Sequence, residues 1–139
     1  MKTRKFDIRA ILRGRLIEVP DLPPVDWEGR KYEPGSDASG HPEMYLRETM
    51  LPADEVLSAN REWTATGIYQ IDVFASIESK LSDAENLADD IKEIFRPGQI
   101  VGTGVVLERS FVGQGDESPP WYRIPVRVDY RVHEVGSFD

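Results

Sequence analysis

Cysteine is absent from the 139 residues. That excludes a disulfide scaffold, thiolate zinc sites and a cysteine nucleophile together. Histidine is scarce: His41 lies in a Gly/Pro-rich stretch and His133 follows the last apolar-periodic segment. Neither has a second histidine or an acidic residue at a ligand spacing such as H-E-x-x-H, so no metal site is expected. Long apolar runs are missing too, since nothing approaches the ~20 residues that span a membrane. The opening Met1-Lys2-Thr3-Arg4-Lys5 has a basic flank without an apolar core behind it, and no signal peptide is expected. There is no G-x-S-x-G turn. The pairs Gly102/Gly104 and Gly113/Gly115 lack the third glycine and the following helix of a phosphate cradle. They read as bulge and hairpin glycines, and no cofactor is implied.

What is present fits one acidic, soluble domain over residues 1–139, long enough to hold a core without staples. The net charge is −8, but it is unevenly spread. Residues 1–15 hold six basic side chains against Asp7 alone, a local balance of +5. Residues 78–95 hold six carboxylates against Lys80 and Lys92, a balance of −4. An acidic chain is a poor general nucleic-acid binder, because phosphate neutralisation needs clustered Lys and Arg. Opposite patches on one chain suit association between copies of it.

The hydrophobic periodicity predicts a helix over residues 4–18, with Ile8, Ile11, Leu12 and Leu16 on one face and Pro20 beyond its end. A short strand is predicted at 25–27, loop chemistry over 28–43, and a strand over 44–51 closed by Pro52. Residues 52–66 are polar and unpatterned and read as a loop. Residues 67–75 alternate as a strand, with Tyr69, Ile71 and Val73 on one side and Asp72 on the other, exposed side. A second helix runs to Phe95 with an S-x-x-E capping box at Ser82 and Glu85. Residues 101–112 form a strand loosened by Gly102 and Gly104, and 113–120 form a turn. Residues 121–132 have the strongest two-residue alternation in the chain. Pro125 falls on its polar face, which predicts a free side of the strand at that point. The order predicts an α+β fold: a mixed, mostly antiparallel β-sheet with two α-helices packed on one face and the other face free.

The charged groups that chemistry could use find plainer roles. Carboxylates on the second helix fall off its apolar stripe, as a solvated or partner-facing side would. Arg9 and Arg13 share a face of the first helix, and Arg123, Arg127 and Arg131 alternate on the last strand. Arginine favours protein interfaces. Arg9 and Arg13 are therefore candidate subunit-interface residues, with Asp89 and Glu93 of the acidic helix as their counterparts on a neighbouring copy. Arg61 and Trp63, in the stretch 52–66, are candidate contacts to another protein.

Several segments, in order along most of the chain, resemble one family. They are the opening helix Ile8 to Arg13, the run Pro23-Pro24-Val25-Asp26-Trp27-Glu28, and Tyr45-Leu46-Arg47-Glu48-Thr49 with Leu51-Pro52-Ala53. Gly67 to Phe74 (GIYQIDVF), the acidic helix Ala84 to Phe95, and Trp121 to Val126 (WYRIPV) follow. The chain is similar to the tail-terminator, or tail-completion, proteins of long-tailed bacteriophages. The resemblance implies a virion structural protein, not an enzyme, that forms a ring, usually hexameric, at the head-proximal end of the tail. Such a ring stops tube polymerisation and joins the head. Its implied partners are other copies of itself, the tail-tube protein and the head–tail connector, with DNA passing through the lumen without specific binding and no membrane. The alternatives are another head–tail connector or tail-tube protein, or a small bacterial binding module.

Overall fold

The computed structural model describes residues 5–30, 32–35, 43–57, 62–77, 81–102 and 104–135, with backbone alone described at 5–6, 52–57, 62–64 and 133–135. The chain runs α1 (Lys5–Leu16), β1 (Val25–Asp26), β2 (Tyr45–Leu57), β3 (Glu62–Ser76), α2 (Leu81–Ile94), β4 (Ile100–Val101), β5 (Val105–Val112), β6 (Asp116–Ser118) and β7 (Trp121–Val135). The strands form one sheet in the order β1-β2-β3-β7-β5-β4, with β6 alongside β7. All pairs are antiparallel except β1 with β2. This is the α+β architecture that the element order predicted.

The core lies between the helices and one sheet face. Ile8, Leu12 and Leu16 of α1 and Ala84, Leu87, Ala88, Ile91 of α2, with Phe95 just beyond it, are buried against Leu46, Met50, Tyr69, Ile71, Val73 and Ile124, Val126, Val128, Tyr130 and Val132 of β7. The helical 3–4 spacing meets the strand period of two, so each element buries one stripe. Gly14 within α1 sits on its solvent side, where a missing side chain leaves no cavity.

The central pairing is long. β3 pairs with β7 from Glu62↔Val135 to Ser76↔Trp121, and with β2 from Tyr45↔Phe74 to Leu57↔Trp63. Residues 52–66 are therefore not a loop. They are two strands of a hairpin, with a bulge between Pro52 and Glu55. Polar composition hid them, but β3 has a hydrogen-bonded partner on each side, and such tertiary pairing outweighs a weak intrinsic strand preference. Residues 58–61, between the strands, lie outside the described residues.

The predicted strand 101–112 is broken into β4 and β5 by a tight turn at Gly102 and Gly104, with φ of 60° and 132°. Those are left-handed values that residues with a Cβ rarely adopt. A side chain at Gly102 would also strike Ile11 of α1, so the turn lets the sheet edge close against that helix. The predicted turn 113–120 contains β6 and a cis Pro119–Pro120 bond. Pro125 lies where β5 has ended and β6 has not begun. Its carbonyl accepts from Gly113 N at 2.8 Å, and its missing N–H faces the same gap. The predicted free side of the strand is reduced to that one missing donor, because Gly113 still bonds the Pro125 carbonyl.

One expectation about the outer face fails. Asp72 is only 5% exposed. Tyr45 stacks on Phe74 (ring centroids 4.9 Å apart), Trp121 packs edge-on against both, and Tyr32 leans on Tyr45 at 5.2 Å. This aromatic roof covers one end of the face that the alternation marked as free, because three strands each contribute an aromatic at adjacent register positions there.

Candidate functional site

The basic helix α1 is anchored by its arginines. Arg13 points onto the sheet, where its Nε donates to both carboxylate oxygens of Glu48 at 2.9 and 2.8 Å and its Nη2 donates to Oε1 at 2.5 Å. The Glu48 side chain is fully buried. It also accepts from Tyr69 Oη at 2.5 Å and from the Glu28 backbone N–H at 3.2 Å. Burial, and then the Glu48 charge, push the Tyr69 phenol far above its ordinary value, so it stays a donor. Hydrogen bonding to Glu48 raises the Arg13 guanidinium. Arg9 pairs with Glu28, whose other oxygen accepts from Met50 N at 3.0 Å. Arg15 donates to the Ile94 carbonyl at 3.0 Å and to Gln99 Oε1 at 2.6 Å. That places a cation at the C-terminal end of α2, where the helix dipole favours one.

The sequence makes Arg9 and Arg13 candidates for a subunit interface because they share a helix face with excess positive charge; in the structure both also pair within the chain, Arg9 with Glu28 and Arg13 with Glu48. The deciding residue, Glu48, was missed. Its signal was available, because it shares the inward side of β2 with Leu46 and Met50, an odd position for a carboxylate unless a cation meets it.

The other candidates stand differently. Asp89 is exposed on α2 and has no ion-pair partner among the described residues. Glu93, one turn on, pairs with Arg96 at 3.1 Å with both side chains mostly in water. Arg61 lies outside the described residues. Trp63 is placed by its backbone, opposite Leu57 at the far end of the β2–β3 hairpin. Thus Arg9 and Arg13 are brought together on the sheet, Asp89 and Glu93 on the outward side of α2, and the two pairs do not meet within one copy.

Two surface regions remain: the first includes Arg127 and Arg131, which the alternation of the last strand marked, and the second was not singled out by sequence. On the outer sheet face Arg109 and Arg127 both lie over the Phe111 ring, 4.8 and 5.5 Å from its centroid. Arg109 approaches Asp129 at 3.9 Å, and Arg131 is exposed one alternation further along β7. The Arg127 Nε and Asp129 Oδ1 atoms are buried without a hydrogen-bond partner among the described residues. A cavity of about 340 Å³ opens beside them, lined by Thr66, Gly67, Ile68, Glu108, Arg109, Asp129 and Tyr130. The phenol of Tyr130 lies where a Gly67 side chain would project, so glycine is required there. A second cavity of about 510 Å³ lies between the ends of the helices, lined by Arg15, Glu18, Pro20, Asp90, Glu93, Ile94, Arg96 and Gln99. On the outer face Asp72 accepts from Gln70 Nε2 at 3.0 Å and lies 3.8 Å from Arg123, yet burial raises its carboxyl above the ordinary range. These are charged surfaces with their counter-charges in place or close by. Among the described residues no group of three or more His, Asp and Glu is placed to hold a metal.

Comparison with known proteins gives two kinds of likeness. A family model described as phage tail terminator protein matches residues 7–130. One solved chain aligns with a TM-score of 0.70 at 23% identity, covering 94% of this chain and 96% of its own. Another, from the virion of a native gene transfer agent particle, aligns with a TM-score of 0.60 at 15% identity, covering 91% and 94%. At these identities the structural likenesses show a shared fold. No curated protein matches the chain.

Proposed function

The chain belongs to the phage tail terminator family, a family of virion tail structural proteins, and from that premise we propose that it ends the growth of the tail tube. Copies associate as a ring, with six the expected number, on the head-proximal end of the completed tube. One rim of the ring meets the tube protein and the other meets the head–tail connector, while DNA passes through the lumen unbound. The whole of residues 1–139 acts as one domain in this role, and it carries out no catalysis. The observation that carries the reading is the family match over residues 7–130, nearly the whole folded body. The fold shared with a chain of the gene transfer agent virion supports it.

The surface supports assembly as well. An acidic chain does not retain DNA electrostatically, which suits a passage. A closed ring needs two different patches on each copy, and the charges of this chain are segregated onto different elements. Asp89 and Glu93 stand on one such patch. The far end of the β2–β3 hairpin, with Arg61 and Trp63, is the proposed contact to tube or connector.

A deletion mutant tests this. It should give free heads and tails of abnormal length by electron microscopy, and the labelled protein should appear once, at the tube end. Labelling repeated along the tube would identify a tube protein instead, and tails of normal length would overturn the terminator reading.

A further inference from the structure

The ring reading leaves open which patch meets which, and the placement of the arginines narrows it. Those of α1 are bound within the chain: Arg9 by Glu28, Arg13 by Glu48, Arg15 by Ile94 and Gln99. A second basic group, on the outer sheet face, has its counter-charge at the surface instead. On the outer sheet face, Arg127, Arg109 and Arg131 stand in a row. Arg109 is the cross-strand partner of Asp129, so the three occupy register positions 127, 129 and 131 of β7. Alternate residues of a strand lie roughly 7 Å apart.

The exposed side of α2 presents the matching row. Glu85, Asp89 and Glu93 are exposed and recur every four residues, at steps of about 6 Å along the helix. Like charges at that spacing repel and destabilise a helix. Only Glu93 has relief among the described residues, from Arg96. On the sheet the strain has the opposite sign. Two guanidinia share the Phe111 ring, and among the described residues Asp129, at 3.9 Å from Arg109, offsets them, with Glu108 at the rim of the cavity. The cavity makes this face concave beside the row, as a site receiving a helix must be.

We propose that the Arg109–Arg127–Arg131 face of one copy docks on the Glu85–Asp89–Glu93 ridge of a second copy. The inference rests on the ring reading and assigns its subunit contact. Because α2 lies on one side of the sheet and the arginines on the other, each copy offers both halves to different neighbours. The contact is head-to-tail, the kind that closes a ring.

Two experiments test it in the full chain. The sequence has no cysteine, so Asn86→Cys beside the ridge and Ile68→Cys beside the arginine row can be trapped with a short bis-maleimide. The double variant should give a ladder of cross-linked oligomers on denaturing gels, and each single variant should remain monomeric. Equal cross-linking in a single variant would mean a symmetric contact and overturn the proposal, as would a double variant that gives no ladder. Charge reversal supplies the second readout, with folding checked by circular dichroism. The triple variant R109E/R127E/R131E and the triple variant E85R/D89R/E93R should each lose self-association by roughly 100-fold or more. An equimolar mixture of the two should regain it, since each then meets its complement. Rings that persist in both variants on native mass analysis would remove this contact and leave the ring reading standing. Parent protein that never forms a ring, alone or on isolated tail tubes, would end both.

Discussion

Two groups of arginine on this chain meet opposite fates. The α1 group looks free in sequence, yet each guanidinium bonds a carboxylate or carbonyl of the same chain, with Arg9 Nε left without a partner among the described residues. The outer-face group alternates with apolar core residues on β7 and meets its counter-charge at the surface, Arg109 lying 3.9 Å from Asp129. The difference lies in what faces each group across the fold. Arg13 meets a carboxylate that has no access to water, so the pair must form for the core to close. Arg109 meets Asp129 at the surface, where solvent screens the pair and little depends on it. A local count of charge cannot separate these cases. Whether an opposing charge is forced inward can.

The sharpest way to break the comparison is Arg13→Ala, which strands the buried Glu48 charge. It should cost roughly 3–5 kcal/mol by chemical denaturation. A cost below about 1 kcal/mol would show that Glu48 finds water or a proton instead. Glu48→Gln should cost less, about 1–2 kcal/mol, because Arg13 retains a route to solvent and Tyr69 an acceptor. If the glutamine variant proved the worse of the two, Arg13 would not be the partly hydrated member of the pair.

Asp72→Asn isolates a carboxylate raised by burial, and its sign is distinct. Above its raised folded value the ionised group disfavours the native state; below the ordinary range of about 3.9 both states are protonated and the penalty vanishes. The asparagine variant should therefore match or exceed the parent in thermal midpoint at pH 7, and lose that margin as pH falls toward 4. A margin that grew on acidification would mean that the Arg123 contact dominates. Smallest of all, Arg109→Ala should alter monomer stability by no more than about 0.5 kcal/mol, and any effect should appear in self-association. A large loss of monomer stability would place Arg109 with the α1 group.

Much of this was legible in sequence where one face of an element is buried and the other wet. The stripe of α2 and the alternation from Tyr122 to Val132 are of that kind, and both elements stand where the pattern puts them. The stretch 52–66 was not, because its strands are held by backbone ladders, β2 to β3 and β3 to β7, and carry no simple apolar alternation. Asp72 misled for a related reason. Its alternation places it on the outer face correctly, but nothing local to 67–75 reports that Arg123 and the rings of Tyr45 and Trp121 arrive on that face from elsewhere. In the candidate site the carboxylates of α2 were legible as exposed and the arginines of α1 as clustered. Their pairing was not, since Glu28 and Glu48 come from beyond a Pro-rich turn.

The position of β7 has a consequence in time. It lies between β3 and β5 and is made after both of them. Until residues 121–135 emerge, β3 carries an unpaired edge and the layer beneath α2 lacks its central row. Pairings so distant along the chain must close large loops before they gain contacts, which slows folding. A half-made copy offers a sticky edge and lacks a finished face. Completion of one strand thus separates a chain that can only aggregate from a subunit whose surfaces exist, and no copy can enter an assembly before that insertion is done.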